Sequence, residues 1–88
     1  MKKGGGAYLK IYKPEGRCNA SGIRVKEARE LAGLSQEQLA AKIQLAGLSI
    51  TQKAVSRIET GSRVVADYEL AYLADALGVT INYLLDKE

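Results

Sequence analysis

Apolar residues recur along this chain at helical spacing in five separate stretches, each bounded by residues that start or stop a helix. Ile23, Val25, Ala28, Leu31 and Ala32 form the first stripe, on a helix predicted for 23–32, with Gly33 as its stop and Leu34 as an apolar contact beyond. Ser35 opens the second. With Gln38 three residues on, it has the spacing of a capping box, in which hydroxyl and amide each satisfy one orphan N–H. Leu39, Ile43 and Ala46 make that helix's stripe, Ala40 lies at its edge, and Gly47 ends it. Thr51 caps a third helix and Gly61 follows it, free to take the left-handed conformation that closes a helix. Asp67 caps a fourth, with Leu70, Ala71, Leu73, Ala74 and Leu77 as its stripe and Gly78 as its stop. Thr80 caps a short fifth, where Ile81 and Leu84 face inward. Two features fit a single core poorly. Leu45 falls outside its helix's stripe, and Tyr68, Tyr72 and Ala76 make a second ridge on the fourth helix, the kind of face that takes a second partner.

Composition narrows the class. At 88 residues the chain is one small domain with a core of modest size, and 47% hydrophobic with 26% charged residues marks it as globular rather than disordered. No His is present and Cys18 is the lone cysteine, so neither a zinc site nor an internal disulfide is expected, and no cofactor. No apolar run approaches the ~20 residues of a membrane span. The N-terminal lysines are followed by glycines, not by the apolar core of a secretion signal, which points to a cytoplasmic protein. Charge is unevenly placed: residues 1–63 hold 12 Lys and Arg against 5 Asp and Glu, a net +7, whereas 64–88 hold 1 against 5, a net −4. A polyanion is steered to the first part and repelled by the second.

The third helix sharpens that picture. Stepped at about 100° per residue, Ala54, Val55 and Ile58 fall on one side and Gln52, Lys53, Ser56, Arg57 and Thr60 on the other. The polar side thus carries an amide, two cations and two hydroxyls, with no acid among them. Such side chains read base edges in a DNA major groove: Gln pairs bidentately with adenine, and Arg or Lys with guanine.

The segments RVKEARELAGLSQEQLA (24–40), TQKAVSRIETG (51–61) and LADALGVTINYLL (73–85) occur in the order characteristic of one family. Over residues 23–86 the chain resembles the phage-repressor and Cro-like helix-turn-helix proteins, the Xre family. The resemblance implies an all-α, compact five-helix lambda-repressor-like domain that binds operator DNA, with 51–60 as recognition helix and the Ser35 helix across the backbone. Carried over by position, it assigns base contacts to Gln52, Lys53, Ser56 and Arg57, and phosphate contacts to Ser35 and Gln36. Thr51 and Thr60, at the ends of the recognition helix, and Arg63, in the loop after it, are further candidates for phosphate. Arg29 and Glu59 match a pair that ties the first helix to the third; Glu59 sits at the edge of the apolar face, where an unpaired carboxylate is costly. One departure stands out: from Ile43 to Val55 the chain is about five residues longer than the family's usual spacing. The extra residues are expected to extend the second helix by a turn to Ala46 and to fold Leu48 back.

Residues 1–22 lie outside the resemblance. Residues 1–6 are flexible by composition, AYLKIYK (7–13) alternates like a short strand, and 14–22 is turn-rich and reads as a linker. Three roles are open for this arm: disorder, a strand pairing with a symmetry mate or packing on the domain, and a basic arm touching DNA. Because one reading helix covers too few base pairs to find a genomic site, a homodimer on a palindromic operator is expected, near the fifth helix as is common in this family. No nucleophile–base pair, phosphate-binding loop or carboxylate cluster suggests an enzyme. The competing reading is a protein-binding module of the same fold, such as an antitoxin or a regulator acting through a partner protein.

Overall fold

The computed structural model describes residues 16–87, and the alternating segment 7–13 lies outside them. Among the described residues there are five helices and no strand: α1 (Gly22–Leu31), α2 (Gln36–Leu45), α3 (Gln52–Thr60), α4 (Asp67–Leu77) and α5 (Ile81–Leu84). None is long and apolar enough to cross a membrane. The predicted all-α, five-helix architecture is the one adopted.

Local chemistry sets most of the ends. Ser35 Oγ accepts from the Gln38 N–H (3.0 Å), and Gln38 Oε1 accepts from the Ser35 N–H (2.8 Å), completing the capping box. Thr51 and Thr80 accept from the N–H groups of Ala54 and Tyr83. Gly61 takes a left-handed φ of 83° and closes α3. The start of α4 differs from expectation: Ala66 holds the N-cap position and Asp67 is the first helical residue. There Glu69 does the capping, its Oε1 accepting from the Ala66 N–H (3.0 Å).

Val25, Leu39, Ile43, Val55, Ile58, Leu73 and Leu84 are fully buried at the centre of one core. α3 packs on α1 and α2, while α4 packs on α1, α2 and α5, so both long-range halves of the chain share that core. Several predicted core positions are not in it. Ile23 and Leu31 are 54% and 82% exposed, and Ala32 and Ala46 are also exposed, because the stripes of α1 and α2 run past the edges of their neighbours. Ile81 is 40% exposed. On α4 the second ridge is not separate: Ala76 is buried and Tyr72 packs on the core, leaving Tyr68 alone outside. Leu45 is 90% exposed.

The long α2–α3 connection is held from within. Leu48 folds back, its N–H donating to the Ile43 carbonyl (3.3 Å) and its side chain packing on the core. Ile50, at 3% exposure, plugs into the same core, and Gln44 Nε2 donates to its carbonyl. Burying an isoleucine side chain is worth about 2 kcal/mol, which anchors the turn.

Candidate nucleic-acid interface

α3 presents its polar side to solvent because Val55 and Ile58 bury the other. Gln52, Lys53 and Arg57 are exposed and Ser56 is half-buried beside them. Neither Lys53 nor Arg57 has a polar side-chain partner among the described residues, so both cations are available to an incoming group.

Gln52 is different: it is fixed by a chain of hydrogen bonds that begins in the interior. Arg29 on α1 pairs with Glu59 on α3, Nε to Oε2 at 2.6 Å and Nη2 to Oε1 at 3.0 Å, with the two side chains only 11% and 3% exposed. Arg29 Nη1 also donates to the Leu34 carbonyl (2.8 Å), so its three contacts are all charge-assisted. The hydrogen bond to Glu59 raises the Arg29 pKa further above the ordinary guanidinium value. Glu59 Oε1 then accepts from Gln36 Nε2 (3.0 Å), and Gln36 Oε1 accepts from Gln52 Nε2 (2.7 Å). This orients the Gln52 amide while leaving its carbonyl oxygen and one N–H unused, the two groups that a bidentate contact to adenine requires.

The N-termini of α2 and α3 thus meet around a shallow polar depression of about 470 Å³, lined by Arg29, Ser35, Gln36, Glu37 and Gln52. The hydroxyls of Ser35 and Thr51 already serve as helix caps, and Thr60 Oγ1 donates to the Arg57 carbonyl (3.2 Å). Arg63 has a partner that the sequence did not reveal. It pairs with Glu69 through both Nη atoms at 3.0 and 3.1 Å and donates to the Val64 carbonyl. The pairing raises the Arg63 pKa and holds the Glu69 carboxyl below its ordinary value. The structure therefore brings Ser35, Gln36, Thr51 and Gln52 together at one end of α3 and sets Thr60 and Arg63 at the other.

Arg17 and Asn19, in the turn-rich stretch before α1, donate to carbonyls in the last turn of α3. The sequence offers Arg17 only as one cation of a basic arm and gives no signal for Asn19, since charge and turn composition carry no information about a contact some 40 residues away.

Two helices joined by a turn, the second with an open polar face and its leading glutamine fixed from behind, define a helix-turn-helix domain. Residues 25–84 match the profile of the family described as Helix-turn-helix. The chain belongs to that family, in its phage-repressor and Cro-like (Xre) branch, and is a DNA-binding helix-turn-helix regulator. Among curated proteins no significant match is found.

Proposed function

We propose that the chain is a sequence-specific transcriptional repressor of the cytoplasm that acts by occupying an operator. α3 enters the major groove, and Gln52, Lys53, Ser56 and Arg57 read bases there. Ser35, Gln36, Thr51, Thr60 and Arg63 hold the flanking phosphates; Arg63 does so by exchanging part of its Glu69 pairing for phosphate. Two copies bind a palindromic site as a homodimer. The observation that carries this reading is the graded reading face: Gln52 held in place through Gln36 and Glu59, beside two cations with no partner among the described residues. Pre-orientation of a base-reading amide lowers the entropy lost on binding.

The test is selection of bound duplexes from a random DNA pool, with wild type and Arg57→Ala in parallel. A palindromic motif that the mutant degrades at particular positions supports base reading by α3. Equal losses of the mutant on selected and random duplexes refute the role given to Arg57. A second reading has its own observation: Leu45 stands 90% exposed near a groove of about 440 Å³ lined by Lys42, Ala46, Tyr72, Asp75 and Ala76. A protein partner seated there becomes the better account if the wild type enriches no sequence and releases DNA by physiological salt.

A further inference from the structure

We propose that residues 17–19 are a clasp that fixes the pose of the reading helix, with Arg17 as a positioning residue for sequence recognition. The proposal rests on the DNA-reading role above. α3 ends with carbonyls that lack helical partners. The segment before α1 supplies them with donors: Arg17 Nη2 reaches the carbonyls of Glu59 (2.8 Å) and Ile58 (3.4 Å), Asn19 Nδ2 reaches that of Ile58 (3.0 Å), and the Cys18 N–H that of Gly61 (2.8 Å). The guanidinium also places a positive charge at the negative end of the helix dipole.

Asn19 joins three elements. Its Oδ1 accepts from the Gly22 N–H at the start of α1 (2.7 Å), while Nδ2 donates to both Ile58 and the Arg63 carbonyl (2.8 Å) in the following loop. The amide is 7% exposed with all its groups used, and a flipped orientation would set N–H against N–H. Two glycines make room. A Cβ on Gly22 would stand 2.0 Å from the Ile58 carbonyl oxygen, and one on Gly61 would stand 2.7 Å from Arg17 Cζ.

The clasp converges on Glu59 from one side while Arg29 and Gln36 hold its carboxylate from the other. Glu59 therefore stands between Arg17 and the path to Gln52. Base discrimination depends on where side chains sit against base edges, whereas phosphate attraction is tolerant of small displacements. Releasing the C-terminal end of α3 should then reduce selectivity more than it reduces general DNA binding.

The test uses the full chain as wild type, Arg17→Ala and Arg17→Lys, with the duplex that the wild type enriches and a scrambled duplex of equal length, titrated across salt. The expected result for Arg17→Ala is a loss of about tenfold in the ratio of the two affinities, the equivalent of one weakened bidentate base contact. The slope of log K against log salt stays unchanged and thermal unfolding remains cooperative. Arg17→Lys keeps the charge but not the planar guanidinium that lies against two carbonyls, and loses selectivity in the same direction. Equal losses on both duplexes, with a salt slope reduced by about one, would make Arg17 a phosphate contact and overturn the clasp. An unchanged ratio in both variants would reduce it to a stabilising contact. A wild type with no selectivity would remove the DNA-reading role itself, a result distinct from either.

Discussion

Replacing Arg29 with alanine strands Glu59 in the interior, and the structure allows the damage to be sized. The Glu59 side chain is 3% exposed and the Arg29 side chain 11%, so water entering from the adjoining depression replaces the lost partner only in part. Breaking a buried pair by removing one member costs about 3–5 kcal/mol. Gln36 still donates to Glu59 after the change, which favours the lower end, about 3 kcal/mol. For a domain of this size, each kcal/mol shifts Tm by about 4–8 °C, so the fall should be roughly 12–24 °C. The assay is thermal unfolding followed by far-UV circular dichroism, on wild type, Arg29→Ala, Arg29→Met, Glu59→Leu, and the double variant Arg29→Met with Glu59→Leu. The double variant should recover much of the loss, because an apolar pair of similar volume carries no desolvation cost. A Tm for Arg29→Ala within about 2 °C of wild type would refute the reasoning, as would a coupling energy near zero between the two positions.

Gln36→Ala removes the acceptor that orients Gln52, so selection experiments should show relaxed preference at one base position, with a stability cost of about 1 kcal/mol; unaltered preference at every position would exclude the orienting role. Glu69, held below its ordinary pKa by Arg63 and the Ala66 N–H, contributes stability that is complete above its unfolded pKa and is lost as pH falls through its lower folded value. Wild type should therefore lose stability as pH drops below about 4.5, and Glu69→Gln should flatten that part of the profile while costing about 1 kcal/mol at neutral pH; parallel profiles would refute it. Leu45→Gln should change stability by less than about 0.5 kcal/mol, since the side chain is 90% exposed, and a larger fall in Tm would mean that Leu45 is covered in solution.

What the sequence made legible is mostly what short-range chemistry decides. Ser35, Thr51 and Thr80 bond N–H groups three residues ahead, and Gly61 and Gly78 adopt the left-handed turn directly after their helices, so five helices can be placed from local signals. Burial was read less well, because periodicity shows which side of a helix is apolar but not how far its neighbours extend. Leu31 and Ala46 lie on apolar stripes yet beyond the reach of the facing helices, whereas Ala76 is buried because α4 touches three other helices. The candidate site divides similarly. The polar face of α3 follows from helical stepping; the place of Glu59 at the edge of the apolar face calls for a partner, and the resemblance names Arg29 as that partner. The Gln36–Gln52 bond and the Arg17–Asn19 contacts join residues distant in sequence through groups with no periodic signature. Ile50 shows the same limit: a lone isoleucine in a turn has no stripe to belong to, and only the packed structure shows it buried.

At nine residues, α3 is about 14 Å long, and a helix so short is marginal in water on its own. Its side chains point outward together only because neighbouring elements grip both ends. A peptide copy of residues 51–61 would thus carry every side chain proposed to read bases and still present no fixed surface. Transplanting this specificity onto another scaffold would require moving Gln36, Glu59 and Arg29 along with the visible residues. The transferable unit is a wedge through the domain, from its interior out to the Gln52 amide.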